Sequence, residues 1–263
     1  LYNLHYFDDL NAEGAGERVE WHRLLIRRWI TENPPGIGIG WEPYPLSLRI
    51  INWIKWAQVG NFLDEATRQS LAVQVRFLSH RLERHLLGNH LFVNAKALVF
   101  AGCYFEEGEA EVWLRLGMSI IAQEIPEQIL FDGGHFERST MYHALAYADM
   151  IDLLNLSKVY PSALLPWKRY FSVWPELITR MGEWLGTMSH PDGEIAFFND
   201  AAMGVSPSPL ALHTYAKRLG LPVFSVSKDI VYLKSSGYIR VTLGPAVLII
   251  DVAPIGPDYL PGH

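Results

Sequence analysis

The sequence holds one cysteine, Cys103, in 263 residues. An internal disulfide and a thiolate metal cage are both excluded, so stability has to come from packing. No uninterrupted apolar run approaches the ~20 residues a helix needs to cross a bilayer, because Arg, Gly, Asn or Glu breaks each hydrophobic stretch. Positive charge is not in excess: 22 Lys and Arg stand against 28 Asp and Glu, a formal net charge of −6. That sign opposes the field that draws proteins non-specifically to nucleic acid. A polyanionic partner has to be held by a locally basic or hydrogen-bonding cleft. Charged residues make up only 19% of the chain and apolar ones 49%, which excludes disorder and leaves material for a sizeable core. An initiating Met and a charged segment followed by an apolar one are both lacking, so the expectation is a segment of a longer protein.

What the sequence does have is helical period. Leu71, Val75, Leu78, Leu82 and Leu86 recur at three- and four-residue steps and predict one stripe of a long helix. Gly88 then stops that helix and Asn89 can cap the next, whose stripe carries Leu91, Ala95, Leu98 and Gly102. Similar stripes run through Trp21, Leu25 and Trp29; through Leu46, Ile50, Trp53, Ile54 and Ala57; and through Val112, Leu116 and Ile120. Two more run through Met141, Leu145, Ala148 and Ile151, and through Leu177, Met181, Trp184 and Leu185. At least seven helices are predicted, separated by Pro- and Gly-rich punctuation and with no strict sequence repeat. Serial helical hairpins of this kind pack as a solenoid, a bundle or an (α/α) toroid, and periodicity does not choose between them.

After Pro222 the texture changes. Ile230–Leu233, Tyr238–Leu243 and Ala246–Val252 are short β-branched or aromatic runs separated by Ser235-Ser236-Gly237 and Gly244-Pro245, which predicts an antiparallel meander. The expected organisation is a helical domain over residues 1–222 and the beginning of an antiparallel β-sheet domain over 228–263. Three strands rarely stand alone, so they either pack on the helices or continue beyond His263.

Chemistry-bearing residues gather in three places. Gly88-Asn89-His90 sets an amide and an imidazole at a helix start, where free N–H groups favour a carboxylate; Asn89 as a plain helix cap is the simpler alternative. Asp132-Gly133-Gly134-His135-Phe136-Glu137-Arg138-Ser139 runs on to Tyr142-His143. With a helix starting near Ser139, Tyr142 and His143 fall in its first turn, and Arg138 is placed to lower the Tyr142 pKa or to clamp an anion. The third is Leu260-Pro261-Gly262-His263, a histidine leaving a strand. The turn-rich stretch from His190-Pro191-Asp192-Gly193-Glu194 to Asn199-Asp200 reads as a loop. Glycoside hydrolysis would need a carboxylate pair, for which Asp132 with Glu137 or Asp192 with Asp200 are candidates, but nothing singles out either pair. An Asn, several His and a Tyr suit another task, removal of the C5 proton of a uronate. Neutralising the sugar carboxylate stabilises the enolate-like transition state, phenolate or imidazole takes the proton, and Tyr142 or His263 protonates the departing oxygen. This β-elimination requires no metal or organic cofactor.

The ordered set Gly88-Asn89-His90-Leu91 with Asn94, the stretch from Asp132 to Ser139 with Tyr142-His143, and Leu260-Pro261-Gly262-His263 resembles the heparinase II/III-like polysaccharide lyases. The opening Tyr2-Asn3-Leu4-His5-Tyr6-Phe7 is similar to bacterial members. The resemblance implies a mainly α fold, an incomplete (α/α) toroid of helical hairpins followed by the first strands of an antiparallel β-sheet domain. It implies eliminative cleavage of uronate-containing acidic polysaccharide, with Asn89, Tyr142 and His263 as catalytic residues. His90, His135, Glu137, Arg138 and His143 are implied to contact substrate. Family chains continue past the Gly-His pair into the rest of the β-domain, where some hold a structural zinc, and periplasmic or secreted residence is implied. A non-catalytic carbohydrate-binding fragment and an (α/α) glycoside hydrolase are the other readings.

Overall fold

A computed structural model describes residues 2–86, 88–106, 108–222, 224 and 228–253. Eight helices precede three strands among them: α1 (Val19–Glu32), α2 (Pro43–Gln58), α3 (Glu65–Ser79), α4 (Gly88–Tyr104), α5 (Ala110–Gln128), α6 (Thr140–Val159), α7 (Lys168–Thr187), α8 (Pro209–Arg218), β1 (Ile230–Leu233), β2 (Tyr238–Leu243) and β3 (Ala246–Asp251). The sheet is an antiparallel β1-β2-β3 meander in which Leu233 pairs with Tyr238 and Tyr238 with Asp251. Helical hairpins followed by antiparallel strands are the fold class expected from the residues. The described residues form two compact units that divide between Ile121 and Ala122.

In the first unit α2 packs along α4, with Leu46, Ile50, Trp53, Leu71, Leu78 and Leu98 fully buried. Every residue of α4 from Leu91 to Cys103 is buried, so its apolar stripe has widened to the whole circumference. Arg49 lies inside this core with its guanidinium 3.8 Å from the Trp29 ring, and it donates to Gln74 Oε1 (2.8 Å) and to the His5 carbonyl (3.2 Å). The arginine therefore ties the N-terminal residues to α2 by hydrogen bond and cation–π contact together.

Two stripes differ from the sequence expectation by one residue. In α1 the buried face is His22, Ile26 and Trp29, while Trp21 is 72% exposed and Leu25 half-exposed. In α5 Val112 faces solvent and Trp113 takes the core position. A 3.6-residue period leaves adjacent faces nearly equivalent, and tertiary partners choose. For α1 the choice is a 2.9 Å bond from His22 Nε2 to Asp9 and an edge contact of the His22 ring with Trp56.

The predicted long helix through Leu86 is shorter than its period. α3 ends at Ser79, and residues 80–86 leave the helix. Glu83 is the cause: its N–H donates to Asn94 Oδ1 (2.9 Å), its carboxylate accepts from Asn94 Nδ2 (3.0 Å), and Asn94 Nδ2 also reaches Ser47 Oγ (3.1 Å). Bonds buried this well outweigh helix propensity, which differs by tenths of a kcal/mol per residue.

In the second unit α6 packs on α7 and α8, and the strands join the same unit instead of standing apart. Leu233 and Tyr238 share a core with Trp184, Met188 and Ala196. Trp184 Nε1 donates to Ser236 Oγ (2.8 Å), and Arg240 Nη1 donates to the carbonyls of Thr187 (2.8 Å) and Ser189 (2.6 Å), satisfying the C-terminal end of α7. A structural repeat appears that strict comparison of residues does not reveal. Ile129 bridges His135 and Ser189 bridges Ile195 around turns built alike. Leu130 N–H bonds Gly134 O as His190 N–H bonds Glu194 O, both at 2.8 Å, and Gly133 and Gly193 have φ of 90° and 92°.

Candidate functional site

Two groups of chemistry-bearing side chains are candidates, one in each unit. The first stands at the start of α4. Gly88, with φ 55°, turns the chain, which places Asn89 inside the first helical turn and not at the cap. The Asn89 amide is half-buried and makes no hydrogen bond to another described residue, so its donor and acceptor are open to a ligand. His90 beside it is held from two sides: Nδ1 lies 3.1 Å from Glu83 Oε1, and its ring packs 4.6 Å from Tyr44. The carboxylate accepts a hydrogen bond from Nδ1–H, which leaves Nε2 as the second polar point. Glu83 and Asn94 are thus the supports of Asn89-His90. The role of Glu83 was hidden in the sequence because it sits among Arg81 and Arg84 and reads as part of a solvated face.

The second group surrounds Tyr142. Ser139 caps α6 through Tyr142 N–H (3.5 Å), as the sequence predicts, and puts Tyr142 in the first turn. Burial raises the Tyr142 pKa, and the negative charges of Asp200 and Glu137 raise it further. The expected lowering by Arg138 is therefore corrected: a half-desolvated phenol facing two carboxylates keeps its proton. Arg138 also acts through its backbone. It has φ 59°, and its carbonyl accepts from the Tyr238 hydroxyl (2.9 Å), which in turn accepts from Asn199 Nδ2 (2.9 Å). Asn199 and Asp200 are also left-handed, at 46° and 56°. Three non-glycine residues in that region, two of them consecutive, are held by the fold at a local cost of order 1–3 kcal/mol each, a pattern that clusters at functional sites. The Asn199-Asp200 stretch, read from sequence as a loop, thereby reaches the tyrosine electrostatically.

His135 and His143 are fully buried. The His143 Nδ1 accepts from the His135 N–H (3.2 Å) and its Nε2 donates to the Met181 carbonyl (2.9 Å), so both nitrogens are engaged within the protein. His135 Nε2 meets Gln128 Oε1 (3.3 Å), and Gln128 Nε2 donates to Glu124 (2.7 Å). These histidines hold the 130–138 loop, a scaffold position in place of the ligand-facing one expected. Burial pushes His143 down to about 3, the Met181 bond opposes that fall, and His213 adds to it. The sign follows. Below about pH 6.5 the unfolded chain binds a proton that the native chain refuses, so stability declines on acidification by up to about 1.4 kcal/mol per unit until about pH 3. Urea unfolding of the parent and of His143→Gln between pH 7 and 5 should show a shallower slope in the variant; equal slopes would exonerate His143.

Asp132 is not free for acid–base work. Its Oδ2 accepts from the N–H groups of Ser235 (2.9 Å) and Ser236 (2.8 Å) and from Ser236 Oγ (3.0 Å), and Oδ1 accepts from Gly134 N–H (3.2 Å). The carboxylate clamps the β1–β2 turn. The glycine pair after it is fixed by close approach: a Cβ at Gly134 would lie 2.5 Å from Trp184 Nε1, and one at Gly133 2.5 Å from the Arg180 carbonyl. Asp132→Ala should cost about 2–3 kcal/mol in chemical denaturation, since it strands four donors. A loss under 0.5 kcal/mol would show that water replaces the clamp. Asp192 bonds its own turn through Glu194 N–H (3.0 Å). His263 lies outside the described residues. Among the described residues no three His, Cys, Asp or Glu gather as metal ligands, and no helix is long and apolar enough to cross a membrane.

A profile of the family described as heparinase II/III N-terminus matches residues 25–232. A heparin-sulfate lyase of Bacteroides stercoris is 30% identical over 217 residues, covering 70% of this chain and 31% of that protein. One from Bacteroides thetaiotaomicron is 28% identical over 159 residues, 57% of this chain and 22% of its own length. Among solved structures, that of heparinase III superposes with a TM-score of 0.72 at 20% identity, over 94% of this chain and 44% of that one. A heparan sulfate lyase from Pedobacter heparinus gives 0.59 at 20% identity, over 97% and 44%. The chain spans less than half the length of each of these relatives, and the structural likeness shows a shared fold.

Proposed function

Since this chain belongs to the heparinase II/III family of polysaccharide lyases, we propose that it cleaves uronate-containing acidic glycans, heparan sulfate first among them, by β-elimination. The observation that carries this reading is the protonated Tyr142 phenol in its half-buried, carboxylate-flanked setting. The phenol carries its proton at neutral pH, and its place in the first turn of α6 makes that proton available to a departing oxygen that becomes more basic as its bond to C4 breaks. In this reading the open amide of Asn89, seconded by His90, hydrogen-bonds the uronate carboxylate, so that charge developing on loss of the C5 proton meets donors already in place. The resemblance makes His263 the catalytic histidine, and in this reading its imidazole takes the C5 proton. Electrons of the broken C5–H bond form the C4–C5 double bond as the C4–O bond breaks, and Tyr142 protonates the leaving oxygen. Glu137 and Arg138 support the phenol and its loop, and His135 and His143 support the loop from beneath.

The experiment follows absorbance near 232 nm during incubation with heparan sulfate, hyaluronan, chondroitin and alginate. Elimination alone creates the conjugated uronate that absorbs there. A rise with heparan sulfate supports the proposal, and new reducing ends without absorbance would mean hydrolysis. The hydrolase alternative is weakened by the spent oxygens of Asp132 and by the turn-bound Asp192.

A further inference from the structure

His80, Arg81, Leu82 and His85, in the segment freed from α3 by the Glu83–Asn94 bonds, form one wall of a cavity of about 500 Å³. Trp41, Glu42 and Pro43, leading into α2, line the other. The volume falls within the roughly 300–1,000 Å³ of small-ligand sites. Its chemistry is two-sided. Phe77 packs edge-on to Trp41 at 5.3 Å and forms an aromatic floor, while His80, Arg81 and His85, all exposed, supply a basic rim. The Arg81 guanidinium stands 5.2 Å from the Phe77 ring centroid, a cation–π contact that holds it at the cavity. The lining holds one acid, Glu42, whose carboxylate accepts a hydrogen bond from the Tyr2 hydroxyl. Glu83, the nearest other acid in sequence, is committed to His90 and Asn94. On a chain of net charge −6, a rim of one guanidinium and two imidazole hydrogen-bonding groups is the kind of cleft a polyanion requires. The cavity also adjoins the α4 group along the chain: Tyr44, two residues past Glu42, is the residue that packs on His90.

We propose that this cavity is an anion-recognising subsite that takes one sulfated or carboxylated sugar of the same glycan chain, away from the bond being cleaved. The inference rests on the acidic-glycan reading above and deepens it. Arg81 and the two histidines grip a sulfate ester or a uronate carboxylate, and the Phe77–Trp41 floor lies against the apolar face of the sugar ring.

The test measures binding calorimetrically in the Tyr142→Phe background, with a sulfated heparan-type hexasaccharide and its unsulfated counterpart, which keeps the uronates. Arg81→Ala and Arg81→Gln should each weaken the sulfated ligand about 5–10-fold and flatten its salt dependence. Arg84→Ala, which removes an exposed charge that does not line the cavity, should leave affinity unchanged. A loss confined to the sulfated ligand identifies a sulfate subsite; equal loss with both ligands identifies a carboxylate subsite. Equal affinities in parent and Arg81 variants, equal weakening by Arg84→Ala, or no binding of either ligand would overturn the proposal. Unchanged thermal midpoints exclude misfolding. If the unsubstituted protein gives no 232 nm product while Arg81-dependent binding persists, the lyase reading fails and the subsite stands. If product forms and Arg81 is silent, the reverse holds.

Discussion

Tyr142→Phe is expected to reduce eliminative turnover of heparan sulfate by about 10²–10⁴-fold, the usual contribution of a positioned general acid, while leaving ligand affinity within a few-fold of the parent. The substitution removes one oxygen and keeps the ring in the first turn of α6. A stalled leaving group, and not a lost binding surface, is the predicted defect. The pH profile distinguishes the role further. Burial, then Asp200 and Glu137, raise the phenol pKa above its ordinary value near 10. Turnover limited by a protonated Tyr142 should therefore persist to strongly alkaline pH. Asp200→Asn removes a negative charge that disfavours phenolate, so it should lower that pKa and bring the alkaline limb down. An alkaline limb that moves upward, or a Phe variant that turns over normally, would remove Tyr142 from the mechanism.

Asn89→Ala is the second large effect, a fall of about 10²–10³-fold in kcat, comparable to removing one oxyanion-type donor. The amide matters most when the carboxylate gains enolate character, so kcat should fall more than KM rises. Asn89→Asp should be at least as damaging, because it sets like charge against the substrate carboxylate. No variant at this position should unfold the protein, since the side chain bonds no other described residue. Thermal midpoints check this directly. A raised KM with unaltered kcat would make Asn89 a plain binding residue and would remove the charge-stabilisation argument.

The residues proposed to bring a proton or a hydrogen bond to a ligand were legible because each sits at a local signal: Asn89 after a glycine stop, Tyr142 three residues past a Ser cap. Their supports were not. Glu83 reads as one charge in a basic stretch, and Asn199-Asp200 reads as a turn, until long-range contacts give them partners. The histidines failed in the opposite direction. His135 and His143 read as reactive because of their density, and burial turned them into bracing.

By itself the sequence determined the helical period, the Gly and Pro punctuation, the change to strands after residue 228 and the Ser139 cap, because these follow from backbone sterics and neighbours a few residues apart. Tertiary structure decided which face of α1 and α5 is buried, where α3 ends, which carboxylates are spent on clamping and which way the Tyr142 pKa moves. These depend on desolvation and on hydrogen bonds between residues far apart in the chain, such as Asp132 to Ser236, and such energies are set only when the partners meet.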